Sequence, residues 1–157
     1  RNKLIKSTKE VNIDTDLELM LPDDYVSSTE ERLSLYQKLA DIQNAIDLSK
    51  FENELKDRFG DLPSEAINLL KSVELKWLAA EIGFDKLVVK NKVFLGYFPA
   101  NPQDKFYQSD KFKKIIAYLT QNPKEATLKE KNNQLMMRKD NVKNVDEVNL
   151  VLNRILA

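Results

Sequence analysis

The chain has no cysteine and no histidine. The first absence rules out a disulfide framework, a thiolate nucleophile and a zinc-thiolate site. The second removes imidazole as a metal ligand, as the base beside a nucleophile and as a proton shuttle near neutral pH. Any chemistry falls to carboxylates, lysines, tyrosines and hydroxyls. Glycine is scarce too: Gly60, Gly83 and Gly96 are the only three in 157 residues. They cannot build a phosphate loop or a dinucleotide fingerprint, so no nucleotide or other cofactor is expected. Apolar runs reach only a few residues, far short of the roughly 20 that cross a bilayer.

What is present is a globular balance of 42% hydrophobic and 32% charged residues, in a length that suits one domain. The formal net charge is zero but unevenly spread. Residues 1–80 carry 11 Lys/Arg against 16 Asp/Glu, and residues 81–157 carry 14 against 9. An acidic face able to meet a basic partner is one reading of this; charges interleaved over a solvated surface is the other. The sequence opens on Arg1 without a signal-like segment, which reads as a piece of a longer cytoplasmic protein.

Residues 1–10 are polar and lysine-rich, and are expected to form a disordered lead-in to a domain over 11–157. From Ile13, alternation through Thr15, Leu17, Leu19 and Leu21 predicts a half-buried strand whose outer face carries Asp14, Asp16 and Glu18. Ser28 with Glu31 is a capping box, opening a helix with a stripe of Leu33, Tyr36, Leu39, Ala40, Ile42 and Ile46. Asp47 is a candidate cap for a second helix along Leu48, Phe51, Leu55 and Phe59. Gly60 ends it in a left-handed conformation, and Pro63 begins a third, more apolar helix to Ile82 with Trp77 in the core.

Hairpins are predicted around Lys90–Lys92 and Lys131–Asn133. A short helix lies between them from Ser109 to Asn122-Pro123, and a last helix starts at Asn144. The order argues for an α+β fold, amphipathic helices packed with mainly antiparallel β-hairpins in a single compact domain. A division near Gly83 into helical and β-rich parts stays open.

Three constellations could carry function. Asp14, Asp16 and Glu18 share a strand face, as a carboxylate site for a hard cation would, or as charges that discourage edge pairing would. Asp23 and Asp24 are adjacent carboxylates after Pro22, where a turn accounts for them. Lys105, Lys111, Lys113 and Lys114, interleaved with Phe106, Tyr107 and Phe112, resemble a nucleic-acid patch in composition. Apart from these, Glu54 and Arg58 lie four apart at the end of the second helix, beside its apolar stripe, where they can pair.

Three blocks carry a family resemblance: Leu21-Pro22-Asp23-Asp24-Tyr25-Val26, the stretch Glu31 to Ala40 (ERLSLYQKLA), and Glu54 to Pro63 (ELKDRFGDLP). In that order and spacing, the sequence resembles the C-terminal domain of the bacterial transcription-repair coupling factor family, Mfd, best over Leu21 to about Phe98. The resemblance implies a parent DNA translocase that acts on stalled RNA polymerase and recruits UvrA, with its ATPase motors outside this domain. It implies for the domain itself a non-enzymatic, autoinhibitory role. The domain would pack on the amino-terminal UvrA-binding module of the same chain and mask it until RNA polymerase and DNA are engaged. Glu54 and Arg58, with Asp57, are the interface positions so implied. A DNA-contacting accessory domain using the basic second half is the rival.

Overall fold

The computed structural model describes residues 4–157. The elements run in the order β1 (Asn12–Thr15), α1 (Thr29–Ala40), α2 (Ala45–Phe59), α3 (Ser64–Ile82), β2 (Lys86–Lys90) and β3 (Val93–Tyr97). A 3₁₀ turn (Lys105–Gln108), α4 (Asp110–Gln121), β4 (Thr127–Lys131), β5 (Gln134–Lys139) and α5 (Val145–Leu156) follow. The strands make one five-stranded sheet in the order β1-β2-β3-β5-β4. Its pairings are antiparallel except β1 on β2, which is parallel. The fold is therefore α+β with a mixed, mainly antiparallel sheet.

Both hairpins turn through two residues of positive φ, Asn91 (52°) with Lys92 (63°) and Asn132 (53°) with Asn133 (63°). Tight turns of this hand match the twist of the flanking strands, and asparagine tolerates them better than most residues. One face of the sheet, with Leu87, Val89, Phe94, Gly96 and Met137, is buried in a core shared with Leu70, Leu75, Leu78 and Ile82 of α3 and Val148, Leu152 and Ile155 of α5. Trp77 belongs to the same core at 5% exposure. That core is continuous across Gly83, so the chain is not divided there.

The first ten residues depart from the expectation of a disordered lead-in. Residues 1–3 lie outside the described residues, but Leu4 is fully buried and Val11 nearly so. The Leu4 carbonyl accepts from Ala45 N at 2.9 Å, and Lys6 N donates to the Gln43 carbonyl at 2.7 Å. Two apolar anchors and a β-bridge between Ile5 and Asn44 strap this segment to the α1–α2 junction. Its lysines hid the anchors from a composition-based reading.

The strand expected to Leu21 pairs only to Thr15. There the Thr15 hydroxyl donates to the Val89 carbonyl (2.7 Å) and accepts from Leu17 N (3.0 Å), and a side chain that takes over backbone partners bends the strand out of its ladder. The burial alternation nevertheless persists to Leu21. On α1 the buried stripe is Leu35 and Leu39, while Leu33 is 58% exposed. Leu33 is two residues from Leu35, which is more than half a turn around the helix. The cap of α2 is Asn44, not Asp47: the Asn44 side chain accepts from Asp47 N at 2.8 Å, and Ile46 falls on the exposed first turn. Pro63 takes the cap position of α3, one residue before its first turn.

Candidate docking surface

The surface around Glu54, Asp57 and Arg58 is built by the ends of α1 and α2 and by the loop before α1. Ser28 caps α1 as its sequence suggests, its hydroxyl accepting from Glu31 N at 3.2 Å. α2 ends where Gly60 adopts φ 89° and ψ −170°, a positive-φ region nearly closed to side-chain-bearing residues and different from the left-handed helical conformation expected. The loop is locked onto this end. Tyr25 donates from its hydroxyl to the Gly60 carbonyl (2.8 Å) and the Leu55 carbonyl (3.2 Å), and its ring lies 5.7 Å from that of Phe59. Burial, then the nearby Asp61 charge, raise the Tyr25 pKa, so the phenol keeps its proton for these bonds.

Four charges run across the two helices. Lys38 Nζ meets Glu54 Oε1 at 2.5 Å, Glu54 Oε2 accepts from Arg58 Nη1 at 3.3 Å, and Arg58 Nη2 donates to Glu31 Oε1. The Arg58 guanidinium also sits 4.8 Å above the Phe59 ring. The hydrogen bond from Lys38 above all, and the charges of Lys38 and Arg58, hold the Glu54 carboxyl below its ordinary pKa. The Arg58 side chain remains 45% exposed while gripped from two sides. Such exposed pairs contribute under about 1 kcal/mol each, so their main effect is to fix where the guanidinium points.

The Glu54–Arg58 pairing expected from the spacing is thus present. Asp57 stands apart, exposed and with no ion pair or hydrogen bond among the described residues. Glu31, expected from sequence as a capping-box residue, and Lys38 complete the network. Their separation of seven, two helical turns, was the signal that they share a face.

The other candidate sites resolve differently. Asp14 pairs with Lys90 at 3.0 Å, and Asp16 accepts from Asn91 N at 3.0 Å, so these carboxylates brace the first hairpin. No group of metal-ligating residues suited to an ion occurs among the described residues. Asp23 and Asp24 lie in the turn that the Pro22 carbonyl closes by accepting from Tyr25 N and Val26 N, each at 3.0 Å. Near α4 the lysines are exposed but the aromatics pack on one another: Phe106 stacks on Phe98 at 5.6 Å, and Phe112 lies 5.3 Å from Phe106 and 5.1 Å from Tyr107. They form a structural knot and leave no row of rings for bases.

Comparison with known proteins gives the fold first. The structure aligns with the crystal structure of the C-terminal domain of transcription-repair coupling factor at a TM-score of 0.74, over 94% of each chain and with 19% identity. The TRCF domain family matches residues 15–109, and the chain belongs to it. The transcription-repair-coupling factor of Rickettsia prowazekii is 30% identical over 142 residues, 90% of this chain, and that of Rickettsia bellii is 32% identical over 112 residues, 71% of this chain. The chain spans only 12% and 10% of those two relatives, and no ATPase domain falls within the matched family region. Among the described residues, no helix is long and apolar enough to cross a membrane.

Proposed function

We propose that this is a non-catalytic, autoinhibitory domain of a cytoplasmic transcription-repair coupling factor. It docks on the amino-terminal UvrA-binding module of its parent chain and masks it until RNA polymerase and DNA are engaged. The observation that carries this is the α2 end. Arg58 is pre-ordered by Glu54, Glu31 and the Phe59 ring yet still exposed, and Asp57 beside it is unpaired. A charged side chain already held in one orientation loses less entropy when a partner docks. From Glu10 to Glu65 the chain has 15 acidic against 5 basic residues, which suits a basic partner surface. Contacts between domains of one chain typically cover about 600–1,500 Å² and are fairly polar, as a releasable lock requires.

The test is binding in trans between this chain and a separate fragment carrying the amino-terminal module, by calorimetry. Arg58→Glu is expected to weaken binding at least about thirtyfold, the lower range for truncating a hydrogen-bonded interface charge, while the domain stays folded. Equal affinity of the variant would remove the α2 end from the interface.

A further inference from the structure

The sheet has a second face, and its register places an unusual set of side chains there. Cross-strand partners share a face, so one row reads Asn12, Lys86, Tyr97, Met136 and Lys129 across β1, β2, β3, β5 and β4. The next row reads Asp14, Val88, Leu95, Arg138 and Thr127. Of these rows, Lys86, Lys129 and Arg138 are exposed, Val88, Leu95 and Tyr97 are half-buried, and Met136 is buried at 5% exposure. Lys131 of the β4 edge and Lys90 of β2 are exposed as well.

The carboxylates on this face are already spent. Asp14 holds Lys90 at 3.0 Å, and Asp140 holds Arg138 at 2.9 Å. Lys86, Lys129 and Lys131 make no ion pair among the described residues. Lys86 instead leans over the Tyr97 ring, 6.0 Å from its centre. With strands about 4.8 Å apart, Lys86 and Lys129 stand about 14 Å from each other on either side of Tyr97 and Met136.

We propose that the outer face of the sheet binds a single-stranded polynucleotide. Uncompensated lysines on either side of Tyr97 and Met136 call for a polyanion. Once Lys86 swings from the Tyr97 ring to a phosphate, that ring beside Val88 and Leu95 offers unpaired bases a surface to stack on, which a duplex, with its bases already stacked, cannot use. An acidic peptide matches the charge but gains nothing from the ring. This surface is separate from the α2 end and does not depend on the docking proposed there.

Fluorescence anisotropy of a labelled oligothymidylate of ~15 nucleotides, titrated with the 157-residue chain at about 50 mM salt, tests this. Binding is expected to weaken as salt rises. Lys86→Glu and Lys129→Glu should each lower the salt slope by at least about 0.7, as loss of a phosphate contact to a single strand does. Tyr97→Leu should weaken binding at least about fivefold with the slope kept, the mark of stacking. Because both lysines are exposed, their variants should fold normally, and the emission of the single buried Trp77 verifies this. Four results would each overturn the proposal: no binding at that salt, equal binding of a duplex, equal competition by polyglutamate, or a loss caused by Lys111→Glu as large as by Lys129→Glu.

Discussion

The end of α2 and the outer face of the sheet are both charged and exposed, but they treat their charges in opposite ways. At the α2 end, Lys38, Glu54, Arg58 and Glu31 satisfy one another in a chain of ion pairs. On the sheet, the acids are consumed by Lys90 and Arg138, and Lys86, Lys129 and Lys131 are exposed with no ion pair among the described residues. A closed network presents a fixed pattern with little net charge, which suits a partner of defined shape. An open set of lysines presents a diffuse field, which suits a flexible polyanion. The α4 region shows that composition alone does not distinguish these cases: it has the lysines and aromatics of a binding patch, yet its rings pack on one another.

The largest effect should come from treating that knot as what it is. Phe98 is fully buried and touches Phe84, Phe106 and Phe112 at centroid distances of 4.8, 5.6 and 5.9 Å. Phe98→Ala is expected to cost about 3–5 kcal/mol in denaturant unfolding, as buried phenylalanine truncations do. Gly83 supports the same cluster, because its φ is 110° and an added Cβ would come within 2.4 Å of the Phe106 ring. Gly83→Ala should therefore also destabilise, by more than the ~1–3 kcal/mol typical of strained backbone alone. Were Phe98→Ala to leave stability intact and abolish oligonucleotide binding, the contrast between knot and platform would collapse.

A middle-sized effect is expected at Tyr25, where Tyr25→Phe removes the hydrogen bonds to the Gly60 and Leu55 carbonyls but keeps the ring on Phe59. The loss should be about 0.5–1.5 kcal/mol in unfolding free energy, within the range for a partly buried hydrogen bond. Binding to the amino-terminal module should fall more than stability does, because the loop that shapes the α2 end would loosen.

Much of this was legible in the residues and some was not, for identifiable reasons. Local devices were readable because they act over a few residues: the Ser28 and Asn144 caps, the two asparagine turns, and the i,i+4 spacing of Glu54 and Arg58. Long-range pairings were not. Nothing near Ile13 shows that β1 would lie parallel to β2, 74 residues on, nor that Leu4 would be a core residue inside a lysine-rich lead-in. The sheet face was hidden most completely. Lys86, Tyr97 and Lys129 become neighbours only through the register of four strands, whereas Lys111 and Phe112 are adjacent in the chain and mark a patch whose half-buried rings pack on one another.

The smallest effect sharpens the paired side of the comparison. Glu54 has a pKa below its ordinary 4.5 because its ionised form accepts from Lys38 and Arg58. A carboxyl lowered on folding stabilises the fold while ionised. That contribution is fully present above the unfolded value near 4.5 and is lost as pH falls through the lower folded value. Glu54→Gln should therefore cost under about 1 kcal/mol at neutral pH, an exposed-pair magnitude, and the difference from the parent should vanish in strong acid. Unfolding curves of the two proteins measured from pH 7 downward should converge only below the ordinary carboxylate range. A constant offset at every pH would mean that the difference does not arise from ionisation of Glu54, and that its charge adds nothing to the network across α1 and α2.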